Sequence, residues 1–144
     1  MGIHENFSNE NDTNDSDINN NRQQTQVVTM VEAINLALHR AMEQDDSVVV
    51  LGEDIATNGG VFRATLGLKD RFGCRRVMDT PLAEALIAGV SVGMASQGLK
   101  PVAEIQFMGF VYAALEHMIS HAARLRNRTR GRLHCPMVLR APYG

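Results

Sequence analysis

Four consecutive apolar residues, Val48–Leu51, constrain the fold of this chain more than any other feature of its sequence. A strand with one face in water alternates apolar and polar residues, whereas an unbroken apolar run is typical of a strand that is covered on both faces. Strands of that kind belong to parallel sheets, in which a crossover helix usually joins successive strands. The run therefore predicts an α/β fold with a parallel sheet and helices on both of its faces.

The rest of the sequence shows the alternation of helix and strand that such a fold requires. Thr29 and Glu32 form a Thr-x-x-Glu capping box, which predicts an amphipathic helix that extends to about Gln44. Pro81 marks another helix start, and Gly98 follows the end of that helix. The predicted helices are 29–44, 66–72, 81–97 and 110–128, and the predicted strands are 48–51, 76–79, 101–105 and 136–140.

A change of composition near residue 26 divides the chain into two parts. Residues 1–26 contain seven Asn, five acidic residues and a single basic residue, Arg22. Such a segment has too little apolar surface to offset the entropy lost on ordering, so we expect a disordered tail. Residues 27–144 are expected to form one folded domain.

The overall composition excludes several classes of protein. The chain has 144 residues, a net charge of −2, and 44% hydrophobic residues. Its apolar stretches are far shorter than the roughly 20 residues that a membrane span needs. The near-neutral charge argues against nucleic acid as a partner. Two cysteines make no disulfide framework, which indicates a reducing compartment.

Three segments leave strands at the edge where a parallel sheet binds ligands. They are Gly52–Asp54, Asp79–Glu84 and Glu104–Phe110. Glu84 lies in the first turn of a predicted helix, and its residue type is open to two interpretations there. It is either an acid favoured by the helix dipole or a carboxyl that points into a cleft.

Two further patterns leave a structural and a functional interpretation open. Gly89 and Gly93 share a face of the predicted helix 81–97, so either the chain's own sheet or a helix of another subunit packs closely against them. His117 and His121 have the spacing of metal ligands on a helix, but the sequence offers no convincing third ligand. We therefore expect interface or solvent histidines there and no metal site.

Several motifs, taken in order and spacing, resemble one known family. They are Leu51-Gly52-Glu53-Asp54, Gly59-Gly60-Val61-Phe62-Arg63, Asp79-Thr80-Pro81-Leu82-Ala83-Glu84, Ala103-Glu104-Ile105-Gln106-Phe107 and Leu139-Arg140-Ala141-Pro142-Tyr143-Gly144. Residues 27–144 thereby resemble the amino-terminal part of the beta subunit of thiamine-diphosphate-dependent 2-oxoacid dehydrogenases of the pyruvate dehydrogenase type. The resemblance implies a transketolase-like pyrimidine-binding domain that is incomplete at its carboxy end.

The resemblance also implies roles for particular residues. Glu84 matches the catalytic glutamate, which would hydrogen-bond the aminopyrimidine ring of thiamine diphosphate and favour its imino tautomer. Leu82, Gln106 and Phe110 match positions that line the pyrimidine pocket, with Phe110 as the stacking ring. Glu53 and Glu104 match acidic positions near the site. A carboxyl that exchanges a proton with a ring nitrogen needs a raised pKa, which an apolar surrounding provides.

The partners that the resemblance implies are an alpha subunit, in an alpha2-beta2 assembly, and a lipoyl acyltransferase core that accepts the acyl group. The cofactor would lie between alpha and beta subunits. The Gly-Asp-Gly element of the family's metal and diphosphate site is absent from this sequence, so magnesium is expected on the alpha subunit. The substrate-binding histidine of the family lies beyond Gly144. We therefore expect this stretch of chain to be inactive alone.

Three functional interpretations remain open from the sequence. The first is part of a pyruvate dehydrogenase component, which decarboxylates a 2-oxoacid oxidatively. The second is the same part of a branched-chain 2-oxoacid or acetoin dehydrogenase. The third is a noncatalytic fragment that only binds partner subunits. The resemblance places the protein in the cytoplasm of a bacterium, or in the mitochondrial matrix of a eukaryote.

Overall fold

The computed structural model describes residues 27–143, and its centre is a four-stranded parallel sheet. The strands are β1 (Val48–Gly52), β2 (Val77–Asp79), β3 (Lys100–Glu104) and β4 (Val138–Arg140). Their order across the sheet is β2-β1-β3-β4, and each neighbouring pair is parallel. All five residues of β1 are buried, as the apolar run predicts. The predicted tail, residues 1–26, lies outside the described residues.

Helices connect the strands throughout the described part of the chain. The α-helices are α1 (Met30–Gln44), α2 (Leu68–Phe72), α3 (Glu84–Ser96), α4 (Tyr112–Glu116) and α5 (Leu125–Arg128). Short 3-10 helices at Val61–Arg63 and Met108–Phe110 precede α2 and α4. A π-helical segment, His117–Ala122, lies between α4 and α5. None of these described helices is both long enough and apolar enough to cross a membrane.

The capping box predicted at the start of α1 is confirmed. The Thr29 hydroxyl oxygen accepts a hydrogen bond from the Glu32 amide at 3.3 Å, and the Glu32 carboxylate accepts one from the Thr29 amide at 2.7 Å. Both groups would otherwise be unpaired at the helix end. The cap sets the direction of α1, which buries Leu38 and Met42.

Two hydrophobic clusters form the core, one for each face of the sheet. On one face, residues of α1 and α2 pack against β1 and β2, and the buried members are Leu38, Met42, Val48, Val50, Ile55, Leu68 and Val77. On the other face, residues of α3 and α4 pack against β1 and β3, and the buried members are Leu51, Ile87, Ala88, Ala103, Ile105 and Ala114. Successive residues of β1 therefore serve opposite faces, and the prediction of helices on both faces is confirmed.

The start of α3 differs from the sequence prediction. The helix begins at Glu84, not at Pro81, because Ala83 has an extended backbone with φ −159° and ψ 88°. Proline fixes only its own φ angle, so it permits a helix start without enforcing one. The consequence is that Leu82 lies in the loop before the helix and Glu84 is its first residue.

The prediction of one α-helix over 110–128 is wrong. The amide of Ala123 donates to the carbonyl of Met118 at 2.9 Å, a π-type hydrogen bond that interrupts the α-helix. The wider winding accompanies a close contact with α3: a Cβ added at Gly89 would lie 3.2 Å from Cε1 of His117. The close approach expected at Gly89 is thus made by His117 of the same chain. The Cβ position of Gly93 has no described atom within 4 Å.

Arg76, just before β2, fastens together the end of α1 and the start of β1. Its Nη2 donates to the carbonyl oxygens of Met42 and Asp45, each at 2.8 Å, and its Nε donates to the carbonyl of Val48 at 3.1 Å. The guanidinium also lies 5.2 Å from the centre of the Phe72 ring. Only 18% of the side chain is exposed, so these bonds are mostly shielded from water.

Replacement of Arg76 by Met is expected to lower the free energy of unfolding by about 2–3 kcal/mol, since it leaves several carbonyl groups without their charged donor. Arg75→Met is the matched control, because Arg75 is an exposed neighbour of the same type. It is expected to change stability by less than about 0.5 kcal/mol. Urea unfolding of both variants measures the difference, and equal midpoints would show that Arg76 does not hold the two elements together.

Candidate functional site

One row of residues crosses the carboxyl edge of the sheet. Gly52 of β1 pairs with Asp79 of β2 on one side and with Glu104 of β3 on the other, and Glu104 pairs with Arg140 of β4. Residues in register on parallel strands point to the same face. Gly52 therefore stands between the two acidic residues of the row, Asp79 and Glu104. The chain packs closely around it, because a Cβ at Gly52 would lie 2.7 Å from the Glu104 carbonyl oxygen and 3.1 Å from Cγ2 of Ile55.

Glu104 is a buried carboxylate with two partners. Its side chain is 1% exposed, and it forms an ion pair with the Arg140 guanidinium. Its Oε1 also accepts a hydrogen bond from the Val61 amide at 2.9 Å. A buried charge is tolerated when such partners replace water. Glu104 thereby ties the loop after β1 to β3 and β4.

Gly60 allows that loop to pass close to Glu104. Its φ is +68°, a conformation that favours glycine. A Cβ at this position would lie 2.9 Å from Glu104 Oε1 and also 2.9 Å from Thr65 Oγ1. The glycine therefore has both a conformational and a steric reason to stand beside the buried carboxylate.

Asp79 holds the same loop from the other side of Gly52. Its carboxylate accepts hydrogen bonds from the Ala56 amide at 2.6 Å and from the Thr57 hydroxyl at 2.5 Å. Desolvation alone would raise the pKa of Asp79, but the bonds from Thr57 and Ala56 and the charge of Lys69 together outweigh it and lower the pKa. The Asp79 carboxylate is therefore favoured in its charged, loop-holding form.

A cleft of about 630 Å³ opens beside this loop, at the carboxyl edge where the sequence predicts a ligand. Its walls are Glu53, Asp54, Asn58, Gly60, Val61, Phe62, Arg63, Gln106 and Phe107. A smaller cleft of about 430 Å³ between α1 and the segment 63–66 contains none of the predicted site residues. The larger cleft is therefore the candidate functional site.

Backbone strain is concentrated around the larger cleft. Among the described residues, the non-glycine positions with positive φ are Asp54, Phe62, Arg63 and Arg130. The first three line the cleft. Such conformations cost on the order of 1–3 kcal/mol each and cluster at functional sites. Here the bonds to Asp79 and Glu104 supply the surrounding structure that holds the strained loop.

The predicted site residues lie along this edge, but they do not all share the cleft. Glu53 and Gln106 line it, and Glu104 lies beneath its loop. The Phe110 ring packs edge-on against Phe107 with 6.2 Å between ring centres, and it is 51% exposed. Leu82 is 70% exposed on the loop before α3 and is not part of the walls.

Glu84 is half-buried at the first position of α3 and contributes to the charge of the site. Burial, followed by the negative charges of Asp54 and Glu84, raises the pKa of Glu53. The negative charges of Asp54 and Glu84 therefore reach Glu53 at this edge of the sheet. Glu84 is the first residue of α3, where the helix dipole favours an acid.

Sequence reasoning missed two residues that shape the site, Asp79 and Arg140. Both stand in quoted motifs, but their roles depend on the register that aligns them with Gly52 and Glu104. The sequence did contain one indication of their importance. Asp79 and Arg140 each end a short strand, and a charged residue at that edge of a parallel sheet is a candidate for the site.

The parallel sheet, the helices on both faces and the cleft at the carboxyl edge define the class of α/β domains that bind ligands beyond their strand ends. Within that class, the chain belongs to the transketolase pyrimidine-binding domain family, whose model matches residues 26–144. The matched residues include the row Asp79-Gly52-Glu104-Arg140 across the sheet edge and all residues that line the cleft.

Similar proteins agree with the resemblance seen in the motifs. The chain is 55% identical over 118 residues to the pyruvate dehydrogenase E1 component subunit beta of Acholeplasma laidlawii and 52% identical over 118 residues to the 2-oxoisovalerate dehydrogenase subunit beta of Bacillus subtilis. It is 48% identical over 117 residues to the pyruvate dehydrogenase E1 component subunit beta of Bacillus subtilis. These alignments cover 81–82% of this chain but only 36% of each relative. The resemblance to the beta-subunit family is confirmed.

Substitution of Glu104 by Gln is expected to lower the free energy of unfolding by about 3 kcal/mol, because it leaves the mostly buried charge of Arg140 without a counter-ion. Glu43→Gln is the control, since the Glu43 pair with Arg71 is well exposed and is expected to contribute less than about 1 kcal/mol. Denaturant unfolding gives both values. A Glu104→Gln variant as stable as the Glu43→Gln variant would contradict the structural role of the buried pair.

The lowered pKa of Asp79 predicts a pH dependence of stability. A carboxyl whose pKa is lower in the folded chain stabilises the fold above its unfolded pKa, and this contribution is lost as the pH falls through the folded pKa. The stability gap between the native chain and Asp79→Asn is therefore expected to be constant near neutrality and to shrink as the pH falls below 3.8, the ordinary pKa of an aspartic acid side chain. Unfolding curves at a series of pH values test this. Thr57→Val, which removes one donor to Asp79, is expected to weaken the dependence, and a gap that persists unchanged in acid would contradict it.

Proposed function

We propose that this chain supplies the pyrimidine-binding part of a thiamine-diphosphate-dependent 2-oxoacid dehydrogenase of the pyruvate dehydrogenase type. The observation that carries the proposal is the 55% identity, over 118 residues, to a pyruvate dehydrogenase E1 beta subunit. Those residues belong to a recognised pyrimidine-binding domain. The cleft and the acidic edge of the sheet lie inside the matched region.

The residues at this edge suit an aminopyrimidine ring. Phe110 and Leu82 expose 51% and 70% of their surfaces, which offers a stacking face and an apolar wall. Glu84 offers a carboxyl that can exchange a proton with a ring nitrogen. Gln106 offers both a donor and an acceptor for the polar edge of a ring. A bound thiamine diphosphate would supply the carbanion-stabilising chemistry that decarboxylation requires.

Glu84 is the proposed catalytic residue, and Leu82, Gln106 and Phe110 are the proposed cofactor-binding residues. Contact between the cofactor and the apolar wall would remove water from Glu84 and favour the protonated carboxyl. Glu53 shares the acidic edge and is proposed to act near the cofactor. Glu104 is proposed to position the loop and not to touch the cofactor, because its oxygens are already bonded to Arg140 and Val61.

The proposed partner is an alpha subunit, which would carry the magnesium and diphosphate half of the site. Aromatic side chains are exposed in the cleft walls and on the segment that follows the walls in the chain, as a surface covered by another subunit would require. They are Phe62, Phe107, Phe110 and Tyr112. An alpha2-beta2 assembly, transfer of the acyl group to a lipoyl acyltransferase core and a cytoplasmic location are part of the same proposal.

A second candidate substrate has its own support. The chain is 52% identical to a 2-oxoisovalerate dehydrogenase beta subunit and 54% identical to a 3-methyl-2-oxobutanoate dehydrogenase beta subunit from Mycobacterium tuberculosis. These identities nearly equal that of the pyruvate dehydrogenase relative. Comparison of kcat/KM for pyruvate and 2-oxoisovalerate, in the enzyme assembled with its alpha subunit, decides between the two.

The test of the proposed role is Glu84→Gln in a beta subunit that carries this sequence and is assembled with its alpha partner. Glutamine keeps the size and the hydrogen bonding of the side chain but cannot shuttle a proton. Turnover is therefore expected to fall by roughly 10²–10⁴-fold. Hydrogen–deuterium exchange at the thiazolium carbon of the bound cofactor is expected to slow in parallel, while cofactor affinity changes much less.

Glu43→Gln is the matched control and is expected to retain the native turnover, because Glu43 lies on α1 and pairs with Arg71. Glu104→Gln is expected to reduce stability more than the exchange rate of the bound cofactor. Native exchange in a cofactor-saturated Glu84→Gln enzyme would show that Glu84 is only an acid at a helix start. The assignment of its catalytic role would then fail.

A further inference from the structure

A cluster of metal-ligand side chains lies on the π-helical segment, apart from the residues of the cleft. His117 Nδ1 is 3.7 Å from Glu116 Oε2, and His121 Nε2 is 3.6 Å from Glu116 Oε1. One donor atom from each of the three residues can be chosen so that all lie within 4.8 Å of one another. The ring–carboxylate distances are too long for hydrogen bonds, so neither histidine nitrogen is hydrogen-bonded to Glu116.

The π winding is what brings the third ligand to the two histidines. In an α-helix, residues five apart are separated by about 140° around the axis, so Glu116 and His121 would diverge. A π turn closes hydrogen bonds between residues five apart and brings them toward the same side of the helix. The bond from the Ala123 amide to the Met118 carbonyl, at 2.9 Å, shows this winding directly. This is why helical spacing alone did not reveal Glu116 as a ligand.

The fold also restricts the first histidine. The His117 ring lies against Gly89 of α3, where an added Cβ would be 3.2 Å from its Cε1. Only 28% of the His117 side chain is exposed, against 45% for His121. The two rings have 5.5 Å between their centres. One ligand is therefore already oriented by packing, and the more exposed ring is free to adjust.

We infer that Glu116, His117 and His121 form a binding site for a divalent transition-metal cation of the zinc type. Imidazole and carboxylate donors suit Zn²⁺, which is commonly held by three protein ligands and a water molecule. Bonds of about 2.0–2.1 Å at tetrahedral angles place donor atoms roughly 3.4 Å apart. The ring–carboxylate distances are 3.7 and 3.6 Å, one to each Glu116 oxygen, and the three donor atoms lie within 4.8 Å of one another, so side-chain rotations must draw the donors together to close the site.

The experiment is a calorimetric titration with ZnCl₂ at a pH where histidine is neutral. The protein carries no polyhistidine tag and is purified together with any partner subunits that remain bound to it. It is first treated with a chelator to remove metal ions. The titration is run in excess Mg²⁺, which fills sites for hard cations. One Zn²⁺ per chain with a Kd on the order of 1 µM or tighter is the expected result. Substitution by Co²⁺ is expected to give the intense visible absorption of a tetrahedral site.

Two variants and a control separate this site from nonspecific binding. His121→Gln is expected to weaken Zn²⁺ binding by about 100-fold, because a direct ligand is worth at least as much as the supporting contacts that cost 10–100-fold. Glu116→Gln is expected to weaken it by at least about tenfold. His134→Gln, which changes an exposed histidine outside the cluster, is expected to bind as the native protein does. Circular dichroism melting checks that the variants fold.

The inference is overturned if His121→Gln, while folded, binds Zn²⁺ as tightly as the native protein. It is also overturned if the native protein binds no stoichiometric Zn²⁺ in the micromolar range. Neither result bears on Glu84, because turnover and proton exchange at the cofactor are measured separately. The proposed dehydrogenase function and the metal site can therefore fail independently.

Discussion

The site depends on one buried charge. The carboxylate of Glu104 has no access to water, so it requires the Arg140 guanidinium and the Val61 amide where it lies. Those two partners come from the last strand and from the loop after the first strand, far apart in the chain. Satisfying one charge therefore fixes three elements at once. Asp79 repeats the arrangement on the other side of Gly52 with amide and hydroxyl donors, and the strained loop between them borders the cleft.

Much of the fold could be predicted because buried segments have a recognisable pattern of apolar residues in the sequence. The run Val48–Leu51 predicted a strand covered on both faces, and the structure extends that strand only to Gly52. The capping box fixed the start of α1 within one residue. The break in the helix after Phe110 could not be predicted, because apolar periodicity does not distinguish α from π winding over six residues. Pro81 led to a predicted start of α3 that is three residues too early, because a proline fixes its own φ angle but does not determine where the helix begins.

The site was only partly predictable from sequence. The rule that ligands bind beyond strand ends selected the segments Gly52–Asp54 and Glu104–Phe110, and the family resemblance singled out Glu53 and Gln106 within them; both residues line the cleft. The same rule could not assign Asp79 and Arg140, because their contacts follow from strand register, which the sequence does not display. Glu116, the third candidate ligand beside His117 and His121, could not be predicted for a different reason. It lies near His121 because the segment is π-helical, and no residue pattern in the sequence indicates that winding.

The order of the strands has a consequence for how the chain reaches its fold. β1 stands between β2 and β3, and its Val48 pairs with Lys100, about fifty residues later in synthesis. Parallel pairings of such separation form slowly, because the intervening chain must be closed into a loop first. During that interval the edge of β1 that later pairs with β3 stays unpaired, as strand edges in aggregation-prone folding intermediates do. The strand that specifies the sheet is thus also the segment that most needs protection on the ribosome.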